Sequence, residues 1–105
     1  MRRYNEERID NIILREFSVE DSEKELDWHR DSHNRYVEVL EGDDWLFQFD
    51  NELPFKVTPG DHFYIQANTY HRLLRGTTNL KLKITEDINK ANQTTKHSMF
   101  FVTHF

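Results

Sequence analysis

The sequence predicts an all-β domain, an antiparallel β-barrel or jelly roll, and three observations support this. Apolar and polar residues alternate with a period of two through several short runs, as in half-buried strands. Turn residues such as Gly42, Gly60 and Gly76 separate these runs at regular spacing. Aromatic residues make up 13% of the 105 residues, so large rings must supply much of the core. We therefore expect about eight short strands and less than about 15% helix, well below the ordinary helix content of globular proteins.

The strands can be placed in order along the chain. Each predicted run has apolar, aromatic or β-branched residues at alternate positions, and polar or glycine-containing turns bound it. The clearest are the run with Arg35, Val37 and Val39 on one face and the run with Leu80 and Leu82 on one face. The predicted strands are 9–17, 26–31, 35–41, 45–49, 55–57, 62–66, 70–74 and 80–85.

The length predicts one domain, residues 1–105, with its core between 9 and 86. Residues 87–105 are expected to form a polar linker and an apolar C-terminal strand, which ends at Phe105. A chain this short cannot bury every aromatic ring alone, and an edge strand invites pairing with a second chain. The expected oligomeric state is therefore a homodimer.

Composition excludes several function classes. The chain has no cysteine, so disulfides, zinc–thiolate sites and cysteine nucleophiles are excluded. A net charge of −5 without basic runs disfavours nucleic acid as a partner. No segment approaches about 20 consecutive apolar residues, and no signal sequence follows Met1, so we expect a cytoplasmic protein that does not contact a membrane.

One constellation suggests chemistry. His29 and Asp31 are two residues apart, which in a strand places both side chains on one face. His71 supplies a second imidazole. Two imidazoles and a carboxylate can form a facial triad with open coordination positions, so these three are the candidate ligands for Fe, Mn, Ni or Zn.

The chain resembles the cupin superfamily, small β-barrels of the jelly-roll type, between about residues 26 and 84. The first cupin pattern, His-x-His, Glu, Gly, falls with departures on His29, Asp31, Arg35 and Gly42. The second pattern, Gly, Pro-x-Gly, His, Asn, falls with departures on Gly60, Gln66, Asn68, His71 and Arg75. The resemblance is greatest to small uncharacterised cupins, often found in phage genomes and bacteria, for which no activity can be transferred.

The resemblance implies metal ligands at His29, Asp31, position 35 and His71. Position 35 is Arg35 where the family has glutamate, and arginine cannot ligate a metal. Two arrangements remain open: a three-ligand metal site with Arg35 turned away, or a metal-free cluster with an Asp31–Arg35 ion pair. Replacing Arg35 by Glu is expected to raise affinity for divalent metals at least tenfold, about 1.4 kcal/mol.

The candidate ligand-binding residues are Arg35 and His71, which can hold a carboxylate or phosphate, together with Trp45 and Tyr64 among the aromatics. The first hypothesis is a protein that binds a small polar or anionic molecule in the barrel cavity, without catalysis or with weak catalysis. The second is an iron- or manganese-dependent dioxygenase-like or isomerase-like enzyme. The third is a dimeric interaction protein with a vestigial pocket.

Overall fold

The computed structural model describes residues 4–87, which fold entirely as strands, turns and loops. This confirms the all-β prediction. The strands are β1 (Tyr4–Ile9), β2 (Ile12–Phe17), β3 (Asn34–Glu41), β4 (Leu46–Phe49), β5 (Phe55–Lys56), β6 (His62–Ile65), β7 (His71–Leu74) and β8 (Leu80–Asp87). Within this part of the chain the structure contains no helix long and apolar enough to cross a membrane.

The strands form two antiparallel sheets. The larger sheet has the order β1-β2-β8-β3-β6, and the smaller sheet has the order β5-β4-β7. Alternate residues of β3 and β8 point between the sheets, where Val37, Val39, Leu82 and Ile84 are buried. The hydrophobic core is therefore a layer between the two sheets, with the buried residues Ile13, Phe17, Val37, Val39, Trp45, Phe47, Val57, Ile65, Leu73, Leu80, Leu82 and Ile84.

The predicted first strand, 9–17, is divided in the structure. β1 and β2 form a hairpin in which Ile9 pairs with Ile12, and Asp10 in the turn has a φ of 54°. Among residues 4–87, pairing in the larger sheet therefore begins at Tyr4, in a strand that is mostly polar and carries no hydrophobic run. The predicted polar linker and apolar C-terminal strand, 87–105, lie outside the described residues except for Asp87, which is the last residue of β8.

The connection from β2 to β3, residues 18–33, crosses to the smaller sheet. Backbone hydrogen bonds join Leu26 N to Leu73 O at 3.0 Å, and Arg75 N to Lys24 O at 2.9 Å. His29 and His71 form an isolated antiparallel bridge. The predicted strand 26–31 was wrong as a continuous element, because only single positions of this segment pair with β7. Its path nevertheless places residues 29–31 beside the start of β7.

Candidate metal centre

The structure brings together the three predicted metal ligands. His29, Asp31 and His71 each offer a ligand atom, and these atoms lie within 4.8 Å of one another. The rings of His29 and His71 are 4.2 Å apart, centroid to centroid, at an angle of 67°. His71 is buried and His29 is exposed, so the group lies at the boundary between core and solvent.

The orientation of the His71 ring is fixed from two sides. Its Nδ1 lies 2.8 Å from the carbonyl oxygen of Thr69. A carbonyl only accepts, so Nδ1 carries the hydrogen, and the other ring nitrogen, Nε2, is available as a ligand. The ring also stacks on Phe47 at a centroid distance of 5.4 Å. Nε2 then lies 3.4 Å from Oδ2 of Asp31.

Asp31 has an unsatisfied oxygen at this point. Oδ2 is buried and has no hydrogen-bond partner, and it is the one such side-chain atom among residues 4–87. Leaving a buried acceptor unpaired is costly, so such an atom calls for an explanation. The 3.4 Å contact with His71 Nε2 does not have hydrogen-bond geometry. A metal ion accepts electron pairs from both atoms, so the donor set fits a divalent transition metal.

Electrostatics favour the neutral form of His71, which is the form that binds metals. Burial is the largest cause that lowers the pKa of His71, and the neighbouring His29 lowers it further. The hydrogen bond to Thr69 and the charge of Asp31 act in the opposite direction, while Arg35 also lowers it. The net effect is a pKa below the ordinary value for histidine.

Arg35 is held by two carboxylates. Its Nε and Nη2 donate to Oε2 of Glu86 at 2.9 and 2.7 Å. Its Nη1 lies 3.2 Å from Oδ1 of Asp31. Arg35 is therefore not turned away, and the structure contains the Asp31–Arg35 ion pair of the second arrangement. Asp31 nevertheless uses only one oxygen for Arg35, and its other oxygen faces His71.

Glu86 was not identified from the sequence. It lies on β8 directly opposite Arg35 on β3, and it is only 5% exposed. Its Oε1 also accepts from Nη1 of Arg8 at 3.1 Å. Burial raises the pKa of Glu86, but hydrogen bonds and charges from Arg35 and Arg8 outweigh it, and the net pKa lies below the ordinary value. A row of alternating charges thus runs from Arg8 through Glu86 and Arg35 to Asp31.

Trp45 and Tyr64 are not part of this row of alternating charges. Trp45 is fully buried, and its Nε1 donates to the carbonyl oxygen of Thr78 at 2.6 Å. Its indole also packs against Phe17, at a centroid distance of 6.1 Å. Strand alternation places Tyr64 on the opposite face of β6 from Ile65, which is buried. The ligand-contact roles of Trp45 and Tyr64 stay predictions.

A groove lies near His71, although none of His29, Asp31 and His71 lines it. Its volume is about 510 Å³, and two of its lining residues contact or pair with His71: Thr69 and Phe49. The other lining residues are Asp50, Glu52, His62, Phe63, Tyr64 and Gln66. The groove therefore combines aromatic and acidic walls at the edge of β6.

Comparison with known proteins gives matches to solved structures alone. No family model matches the chain, and no curated protein matches it in sequence. A cupin-2 domain protein from Shewanella frigidimarina superposes with a TM-score of 0.60 and 13% identity, covering 83% of this chain and 84% of that one. A cupin domain from Bordetella pertussis gives 0.59 and 18% identity, covering 83% and 98%. KdgF from a Halomonas species gives 0.58 and 16% identity, covering 76% and 71%. The chain is thus a small protein with the cupin fold.

Proposed function

We propose that the protein binds one divalent transition metal through His29, Asp31 and His71. The observation that carries this proposal is the buried Oδ2 of Asp31, which has no hydrogen-bond partner and faces His71 Nε2 at 3.4 Å. Imidazole and carboxylate donors suit Fe, Mn, Ni and Zn. Three protein ligands leave open coordination positions for a small molecule.

The metal, rather than Arg35, is proposed to attract the ligand. Arg35 already pairs with Glu86 and Asp31, and its side chain is only 11% exposed, so it offers little to an incoming anion. The formal charges of Arg8, Glu86, Arg35 and Asp31 cancel. A bound dication therefore keeps its positive charge, which favours a ligand with a carboxylate or a similar anionic group.

The groove beside His71 is proposed to hold the rest of that ligand. Its aromatic lining residues Phe49 and Phe63 suit an apolar or planar body. Its acidic residues, Asp50 and Glu52, disfavour a ligand with several negative charges. The proposed ligand is therefore a small molecule with one anionic group that binds the metal directly.

The second candidate is a metal-dependent dioxygenase-like or isomerase-like enzyme. The open coordination positions favour it, because a substrate can bind there beside the protein ligands. A metal at this site supplies Lewis acidity to a bound oxygen atom. His29, Asp31 and His71 have the same roles in both candidates.

Metal titration of chelator-treated protein tests the proposal. We expect calorimetry with Ni²⁺ or Zn²⁺ to show one ion per chain, and His71→Ala to abolish binding. His62→Ala is the matched control for metal binding alone, because His62 is an exposed histidine outside the ligand group, although it lines the groove. A small carboxylate should then bind the metal-loaded protein and not the metal-free protein. Absence of metal binding by the wild-type chain would refute the proposal.

A further inference from the structure

We infer that Glu86 is a positioning residue that holds Arg35 so that Asp31 keeps one oxygen free for the metal. This inference rests on the proposed metal site, and it adds a residue outside the ligand set that controls the site. It starts from the direct pairing of Arg35 and Glu86 across β3 and β8. Arg35 stands at the place where the resemblance to cupins implies an acidic ligand.

The distribution of the Arg35 donors carries the argument. Nε and Nη2 of Arg35 both donate hydrogen bonds to Glu86, and only Nη1 contacts Asp31. Arginine prefers to bind a carboxylate with two parallel hydrogen bonds. Among residues 4–87, Asp31 and Glu86 are the two carboxylates that this guanidinium contacts, so Asp31 remains when the charge of Glu86 is removed. A two-bond pairing there would occupy Oδ2, the oxygen that the metal needs.

Glu86 is itself fixed from several sides. Its backbone N–H donates to Asn11 O at 2.8 Å, and its carbonyl accepts from the side-chain amide of Asn11 at 3.0 Å. Its second carboxylate oxygen accepts from Arg8. The β1–β2 hairpin therefore holds the carboxylate in place without contributing a metal ligand.

The test is a thermodynamic cycle on the full chain. Glu86→Gln keeps the shape of the side chain and removes its charge, and we expect Ni²⁺ affinity to fall at least tenfold. Glu6→Gln is the matched control, because Glu6 accepts from Nε and Nη2 of Arg15 at 3.0 and 2.7 Å in the same sheet. It changes the net charge by the same amount, and we expect less than a twofold effect on affinity.

A second arm separates positioning from structural damage. In an Arg35→Met background there is no guanidinium to hold, so Glu86→Gln should change Ni²⁺ affinity less than twofold.

The apolar pair Arg35→Met with Glu86→Leu is measured too, because Glu86→Gln alone can fail to fold. Replacing both partners of a buried ion pair is often tolerated. It should bind Ni²⁺ at least as tightly as the wild type. Loss of binding in that folded double variant would overturn the inference.

The two proposals can be tested separately. The role of Glu86 can be wrong while the metal site is correct, and the metal site can be wrong while Glu86 still holds Arg35. Wild-type affinity retained in folded Glu86→Gln refutes the role of Glu86 alone. If the wild type binds no metal, the proposed function fails, and crystal structures of metal-free wild type and Glu86→Gln decide the inference. Arg35 should then contact both oxygens of Asp31 in the variant. An unmoved Arg35 would refute the inference in either case.

Discussion

The backbones of His29 and His71 exchange two hydrogen bonds, of 3.0 and 2.9 Å, although His29 belongs to no strand. This pair places the two imidazoles side by side with main-chain atoms alone. Asn68 N also donates to Asp31 O at 2.6 Å, which fixes Asp31, the third candidate ligand, against the turn before β7. The positions of the three residues are therefore set by the backbone, while Arg35 and Glu86 of the larger sheet balance the charge around Asp31.

Exchanging the charges of residues 35 and 86 is expected to strengthen metal binding. In Arg35→Glu with Glu86→Arg, the ion pair across β3 and β8 is kept with reversed polarity, and a carboxylate stands beside the ligand group. The exchange also replaces the ion pair between Arg8 and position 86 by two like charges. Calorimetry should show Ni²⁺ affinity at least tenfold above the wild type, about 1.4 kcal/mol.

The single variant Arg35→Glu is the control for that exchange. It places one carboxylate against the buried Glu86 and removes a partner of Asp31. We expect its free energy of unfolding to fall by about 3 kcal/mol or more, measured by urea denaturation. A single variant as stable as the exchanged pair would show that the Arg35–Glu86 contact has no energetic importance.

Gly76→Ala is expected to destabilise the protein strongly. A Cβ at Gly76 would lie 2.7 Å from Trp45 N and closer still to the Trp45 ring and Asp43 O. Two of these neighbours are backbone atoms and the third is a fully buried ring, so overpacking should cost about 2–3 kcal/mol or more in urea denaturation.

Gly60→Ala is the comparison for Gly76→Ala. A Cβ at Gly60 meets nothing within 4 Å, and the cost there comes from the φ of 96° alone. We expect a smaller loss, about 1 kcal/mol. If Gly60→Ala destabilises more than Gly76→Ala, the packing around Trp45 is looser than the structure indicates.

The contribution of Glu86 to the stability of the folded protein is expected to decrease at acid pH. Its pKa is lowered from 4.5 in the folded protein, so the ionised form is favoured by folding. The resulting stabilisation is complete above the unfolded-state pKa and is lost as the pH falls through the lower folded-state pKa. The stability difference between wild type and Glu86→Gln, from urea denaturation at several pH values, should shrink between about pH 6 and about pH 3. Parallel curves would contradict the prediction.

A homodimer remains a prediction. Its motive is the apolar segment that ends at Phe105, which lies outside the described residues. Within residues 4–87, β1 and β6 are the edge strands of the larger sheet, and an edge strand can pair with a second chain. Analytical ultracentrifugation should give twice the chain mass of 12.8 kDa. A monomer at high concentration would show that the apolar segment is covered within one chain or left exposed.

The sequence was sufficient for three strands of the larger sheet and for the three candidate ligands that the structure brings together. β3, β6 and β8 lie within two residues of their predicted bounds, because clear alternation marks them. His29, Asp31 and His71 were found because their spacing and the cupin resemblance agree. β1 was missed because its inward positions, which include Glu6 and Arg8, are polar and give no hydrophobic alternation.

Glu86 was missed for a different reason. The alternation of Leu80, Leu82 and Ile84 continues to Glu86, so the sequence did carry a sign that a carboxylate points inward. The role of this carboxylate depends on the register between β3 and β8, which places Glu86 opposite Arg35. Register between strands so far apart in sequence is not encoded in either strand alone.

The position of β8 has a consequence for how the chain is made. β8 lies between β2 and β3, so it joins the two halves of the larger sheet although it is the last of the described strands to be synthesised. A ribosome-bound chain that ends before Leu80 has β2 and β3 without their shared partner, and it lacks Glu86. Neither the larger sheet nor the charge balance of the site can form on such a nascent chain. Assembly of this protein therefore waits for translation of its central strand.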